Sequence, residues 1–168
     1  MRYVMKQKVW ALGNDYVVRD EAGTDRFIVD GRVWSIGDKL SLTDMAGNEL
    51  AYIHQKLLSW GPTYELYHRG QLFAIVKESL WTFMHYRFSV DVGADGITPD
   101  DLQIEGDFWN KEYAFTRADG QPVAQVSRKW FSWVDNYGVD VADDHDAVLV
   151  LACAVIVDLC VEKHRKNH

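Results

Sequence analysis

The chain has 168 residues, 48% of them hydrophobic, enough to bury one sizeable core and without sign of a second domain. Its net charge of −7 opposes general nucleic-acid binding, which rests on basic residues neutralising phosphates. The opening MRYVMKQKVW carries positive charge but leads into no apolar run and no small-residue cleavage site, so no signal peptide is expected and the cytoplasm is the expected compartment.

From there strand and turn signals recur at short intervals. Tyr16–Val18, Phe27–Val29, Val33–Ile36 and Leu40–Leu42 are β-prone runs, separated by Asp20-Glu-Ala-Gly23, Asp30-Gly31 and Gly37-Asp38, which suit tight turns. Leu50–Lys56, Tyr64–His68, Leu72–Lys77 and Phe83–Val92 continue the series, and Leu102–Ile104, Tyr113–Phe115, Val123–Arg128 and Tyr137–Val141 complete it. Alternation is clearest where Tyr113 and Phe115 sit between Glu112 and Thr116, so one face of the sheet looks in and the other out.

The series ends in AVLVLACAVIVDLCV, Ala147 to Val161, apolar on every side. A helix made of it must be surrounded by protein or lipid, because it has no polar face to offer water. Asp143, Asp144 and Asp146 precede the run and Lys163, His164, Arg165 and Lys166 follow it, each sign at the end the helix dipole favours. A helix of this run is about 22 Å long against a hydrocarbon core of roughly 30 Å, and Asp158 interrupts it, so a buried core helix is expected and no transmembrane span. An unpaired Asp158 would cost several kcal/mol, so it must reach the mouth of the fold or find a hydrogen-bond partner. Cys153 and Cys160 lie on one helix face too far apart for a disulfide, and read as inert buried thiols.

About a dozen antiparallel strands must close or be covered at their edges, and a barrel of that size is too wide for its own side chains to fill. The apolar helix is the candidate filler. The expected fold is therefore mainly β: one domain over 1–168, an antiparallel β-barrel over 1–142 enclosing a C-terminal helix over 143–163. The barrel is also expected to have two related halves. Gly47, Ala51, Lys56, Ser59, Trp60 and Tyr64 recur, at one constant spacing and without a gap, as Gly120, Ala124, Lys129, Ser132, Trp133 and Tyr137. Gly31 and Trp34 have weaker counterparts in Gly106 and Trp109, at a slightly larger spacing.

Tyr3-Val-Met-Lys-Gln-Lys8, Ile36-Gly-Asp-Lys-Leu40, Gln55-Lys-Leu-Leu-Ser59, Ile104-Glu-Gly-Asp-Phe108, Val126-Ser-Arg-Lys-Trp-Phe-Ser-Trp133, Tyr137-Gly-Val-Asp140 and the terminal apolar run together carry a resemblance over nearly the whole chain. The chain resembles a bacterial member of the LOR family, within the Tubby C-terminal-like superfamily. That resemblance implies a roughly twelve-stranded barrel around a central hydrophobic helix, the arrangement of Tubby C-terminal domains and phospholipid scramblases. It also implies phosphoinositide binding or membrane association.

Lys56, Trp60, Arg128, Lys129 and Trp133 place cations beside large aromatics in the two repeated stretches. Such a set suits a membrane-surface site, cations meeting headgroup phosphates and tryptophans resting at the interface. The structural alternative is a repeated barrel corner with solvated lysines next to it. Asp140, Asp143, Asp144 and Asp146 supply oxygens for calcium but lack the glycine and terminal glutamate of an EF-hand loop, and a helix cap explains them with less. The six histidines show no metal-ligand spacing, and there is no GxSxG, glycine-rich phosphate loop or CxxC. No catalytic residue, metal site or cofactor is expected. The reading is a non-enzymatic interaction or scaffold protein, cytoplasmic and peripheral at the membrane, binding anionic phospholipid headgroups or a protein partner. The alternatives are a scramblase-like membrane protein and a carrier of hydrophobic ligands; no oligomeric state follows.

Overall fold

The computed structural model describes residues 1–8, 15–31, 36–82, 85–96, 101–130, 136–143 and 145–167. Twelve strands precede one helix: β1 Arg2–Gln7, β2 Tyr16–Asp20, β3 Asp25–Gly31, β4 Lys39–Asp44, β5 Glu49–Lys56, β6 Thr63–His68, β7 Gln71–Thr82, β8 His85–Val92, β9 Leu102–Asp107, β10 Glu112–Arg117, β11 Pro122–Ser127, β12 Asn136–Val141 and α1 Ala147–Lys166. Each strand pairs antiparallel with its neighbours in sequence, and β12 returns to β1 with Tyr3 opposite Val139 and Met5 opposite Tyr137, so the barrel is closed. Closure leaves no free sheet edge.

The alternation seen in the sequence is the inside and outside of this wall. Leu40 and Leu42, Ala51 and Ile53, Tyr64 and Leu66, Val139 and Val141 point inward and are buried. β2 to β12 coincide with runs legible in the sequence. β1 was not among them, and Val33–Ile36, expected as a strand, is not one: positions 32–35 lie outside the described residues, and Ile36 sits in a bend, largely exposed. The helix also differs from its expected bounds of 143–163, beginning at Ala147 and continuing to Lys166. Asp146 is its cap rather than its first turn, since the carboxylate accepts hydrogen bonds from the Val148 and Leu149 N–H groups.

Turn chemistry matches the sequence at one barrel end. The Asp20 carboxylate accepts from the Ala22 and Thr24 N–H groups and the Asp44 carboxylate from those of Ala46 and Asn48. In both loops the fourth residue, Gly23 or Gly47, takes the positive φ that a side chain would resist.

The expected two-fold relation extends to every strand. β4, β5 and β6 correspond to β10, β11 and β12 at the constant spacing of the repeat, so Leu40 is equivalent to Tyr113 and Tyr64 to Tyr137. Pairing carries the relation outward: Gly31 faces Leu40 as Gly106 faces Tyr113, Tyr16 faces Val29 as Phe88 faces Ile104, and Met5 faces Val18 as Val76 faces Val90. The barrel is two copies of a six-stranded unit joined head to tail.

α1 fills the interior. Leu149 through Val161 are all buried, on every side of the helix, as a run without a polar face requires. Among the described residues no helix is long and apolar enough to cross a membrane. Cys153 and Cys160 are buried free thiols whose pKa values burial pushes up.

Candidate functional site

In this topology the β1–β2, β3–β4, β5–β6, β7–β8, β9–β10 and β11–β12 connections all open at one end. α1 leaves the barrel there, because its last two turns touch residues at those strand ends. This mouth holds the polar contacts between the helix side chains and the barrel wall.

Asp158, the buried acid of the helix, accepts from the Tyr137 hydroxyl at 2.7 Å and the Tyr16 hydroxyl at 3.3 Å, and forms an ion pair with Lys111 Nζ. It is thus the satisfied structural group that its burial demands. Lys163 repeats the pattern with opposite sign. Its Nζ lies 2.5 Å from Asp38, 2.8 Å from Gln55 and 3.2 Å from the Tyr64 hydroxyl, which itself donates to Asp38 at 2.7 Å. Tyr64 and Tyr137 are equivalent positions of the two halves, and Asp38 and Lys111 occur at the same constant spacing. The barrel therefore grips one helix with two related clamps: a wall lysine holds a helix aspartate, and a wall aspartate holds a helix lysine.

A second related pair adds to the grip. Gln7 donates to Glu162 at 3.1 Å, while Glu78, at the equivalent place in the other half, contacts His164 Nε2 at 2.6 Å. The Tyr86 ring stacks on His164 with centroids 4.4 Å apart. Burial, reinforced by the Asp158 charge, pushes the Tyr16, Tyr113 and Tyr137 phenols well above their ordinary pKa, and burial with Asp38 and Cys160 does the same at Tyr64.

Around this polar ring stands an exposed rim. Ile36 is 82% exposed, Leu58 94% and Trp60 102%, with Leu57 and Trp109 more than a third exposed. The β3–β4 and β5–β6 loops support one another, since Leu57 lies against Gly37 so closely that a Cβ there would meet Leu57 Cδ2 at 2.9 Å. Ser59 shapes its loop by donating to the Lys56 and Gly61 carbonyls, the structural use of the serine in the repeated stretch.

Of the site residues expected from the sequence, Lys56 is exposed at the end of β5 and Trp60 projects fully from the β5–β6 loop. Arg128 is half-buried, and Lys129 is 82% exposed with its Nζ 3.9 Å from Glu112. Both belong to the turn after β11, where the Glu112 carboxylate accepts from the Ser127 hydroxyl and the Arg128 N–H. Trp133 lies outside the described residues, as does Asp144. Both lysine stretches thus open at the same mouth, which also receives Lys163, Arg165 and Lys166 from α1. Those three, with Asp38 and Lys111, were not singled out as site residues. The repeated tyrosine was visible, but the helix partners belong to no repeat. The other acids of the expected cluster are engaged: Asp140 pairs with Arg2, and Asp143 with the terminal amine.

Residues 1–158 match the family described as LURP-one-related. A Bacillus subtilis (strain 168) protein, the uncharacterized protein YxjI, is 34% identical over 156 residues, covering 92% of this chain and 90% of that protein. A solved structure of an Arabidopsis thaliana protein superposes with a TM-score of 0.72 at 21% identity, covering 94% of this chain and 90% of that one. The last likeness shows a shared fold.

Proposed function

The chain belongs to the LURP-one-related family, and from that premise we propose that it is a non-catalytic interaction module that docks peripherally on anionic phospholipid surfaces through the mouth where α1 emerges. The observation that carries this reading is the co-location of exposed Ile36, Leu58 and Trp60 with Lys56, Lys129, Arg165 and Lys166 at one end of the barrel. Apolar rims flanked by lysines suit the headgroup boundary, and each basic residue near an anionic surface adds about 1 kcal/mol.

The net charge of −7 is unevenly placed, which lessens its opposition to this docking. Asp20, Glu21, Asp44, Asp95, Asp119 and Asp143 lie in the turns at the opposite end. At the docking end, Asp38, Glu112 and Asp158 are paired with Lys163, Lys129 and Lys111, while Asp107 and Glu162 are held by the neutral side chains of Asn110 and Gln7. The two other readings of the sequence gain less. A scramblase-like anchor needs a spanning helix, and none is found among the described residues. A carrier needs an open lumen, and α1 fills it.

Flotation with vesicles tests the proposal. Binding is expected to vesicles of phosphatidylcholine with phosphatidylserine and not to phosphatidylcholine alone, and to weaken with salt. Lys56→Glu with Lys129→Glu is expected to lower the affinity by at least about thirtyfold, from the loss of about 2 kcal/mol, while leaving the melting temperature unchanged. Absence of flotation with anionic vesicles at low salt would remove the lipid reading and direct attention to soluble partners.

A further inference from the structure

On the inside of the barrel the two halves keep one chemistry. Ala51, Ile53, Tyr64 and Leu66 point inward from β5 and β6, and Ala124, Val126, Tyr137 and Val139 do so from β11 and β12. The outward residues between them differ. β5 and β6 place Tyr52 opposite Tyr67 and His54 opposite Glu65, where the related strands place Gln125 opposite Asp140 and Ser127 opposite Gly138. The same pair of strands thus closes the wall with or without aromatic side chains, so folding does not require the rings.

The aromatic set is held in position. The Tyr67 hydroxyl donates to the Glu65 carboxylate at 2.8 Å, and His54 Nδ1 lies 3.6 Å from the same group, whose side chain is 17% exposed. The Tyr52 and His54 rings are within 9° of parallel with centroids 6.4 Å apart, and the Tyr67 ring stands at 49° to Tyr52 at the same spacing. These rings border an open groove of about 370 Å³ that Lys39, Glu49 and Gly70 complete.

The charges of the groove balance. Lys39 and Glu49 supply one of each sign, and neither forms an ion pair with a described residue. Glu49 is positioned by the Ser41 hydroxyl, which donates to it at 2.8 Å. Glu65 is already taken up by Tyr67 and His54. An anionic or a cationic ligand would meet one favourable and one unfavourable charge, so the groove suits a neutral ligand with both donors and acceptors.

We propose that this groove binds a sugar ring of a neutral oligosaccharide. The C–H face of a pyranose packs on the tyrosine rings, whose faces are apolar and carry partial negative charge. Each sugar hydroxyl both donates and accepts, so one accepts from the Lys39 ammonium while another donates to the Glu49 carboxylate. A run of prolines, which aromatic grooves also take, offers carbonyl acceptors and no N–H donors, and leaves Glu49 unanswered. The volume lies within the range of specific ligand sites. The groove is on the outer wall, apart from Trp60 and the lysines of the docking rim, and stands without the lipid reading.

Titration of the full chain with maltotetraose, cellotetraose and the tetramer of N-acetylglucosamine, followed by amide NMR, tests it. The Tyr52, His54 and Tyr67 amides are expected to shift with at least one of these, and a hexaproline peptide is expected to shift none of them. Tyr52→Gln with His54→Ser copies β11 onto β5, and is expected to weaken the binding at least about tenfold without lowering the melting temperature. Tyr67→Leu removes a ring from β6 alone, is expected to weaken binding about threefold, and serves where the first variant does not fold. No shift with any of the saccharides at tens of millimolar, shifts confined to residues outside the groove, tighter binding of the peptide, or unchanged affinity in the variants each overturns the assignment.

Discussion

The charged side chain within the fully buried run Leu149–Val161 is Asp158, and its partners decide what it costs. Lys111 approaches it from the wall with only 15% of its side chain exposed, and its Nζ also lies 4.8 Å from the centre of the Tyr137 ring. Removing one member of such a pair leaves the other buried and uncompensated. Lys111→Met is therefore expected to lower unfolding stability by about 3–5 kcal/mol in urea titrations. Asp158→Asn should cost less, because the amide oxygen still accepts from Tyr137 and Tyr16, while Lys111 is nearer to water. A loss at Lys111→Met below that at Asp158→Asn would mean that the tyrosine hydroxyls, and not the ion pair, hold the carboxylate.

At the scale of the element, α1 has no polar stripe from which a preferred rotation could follow, and a smooth apolar cylinder inside a barrel can slide or turn at small cost. Two clamps of opposite polarity, at Asp158 and at Lys163 one and a half turns later, remove that freedom, because neither helix residue fits the other's site. Asp38→Lys and Lys163→Asp are each expected to cost about 1–3 kcal/mol, the range set by a pair that is partly exposed. Together they recreate the polarity that Lys111 and Asp158 already use beside Tyr137, and the double variant is expected to recover more than half of the summed loss. A double-mutant cycle measures this, and simple additivity would show that the pair contributes nothing as a pair.

For the whole molecule, the buried phenols give a pH dependence with a definite sign. Tyr16, Tyr64, Tyr113 and Tyr137 have raised pKa values in the folded chain, so the neutral form is favoured there. The stability this reflects is complete below the ordinary tyrosine value of about 10 and is lost as pH rises, since the unfolded chain ionises and the folded one does not. The raised thiols of Cys153 and Cys160 add to the same trend from about pH 9. Each such group contributes a slope of up to about 1.4 kcal/mol per pH unit. Denaturant midpoints should be level near neutrality and fall steeply above about pH 10, and phenolate absorbance should show these tyrosines titrating only as the chain unfolds. A midpoint unchanged up to pH 11 would place these phenols in contact with solvent.

Strand rhythm, turn residues, the buried helix and the doubling of the barrel were legible in the sequence, because each rests on local periodicity or on repetition along the chain. β1 was not, since Arg2, Lys6 and Lys8 mask the inward pair Tyr3 and Met5, and its place is set by pairing with β12 at the far end of the chain. The lysine and tryptophan stretches could be named from their repetition. Their meeting at one mouth with the exposed end of α1 follows from barrel closure. The polarity of the clamps was decided by tertiary structure alone. The clamps join wall residues to a helix outside the repeat. The close approach of Gly106 to β10, where a Cβ would meet the Glu112 carbonyl oxygen at 2.5 Å, is likewise a distance that no spacing along the chain encodes.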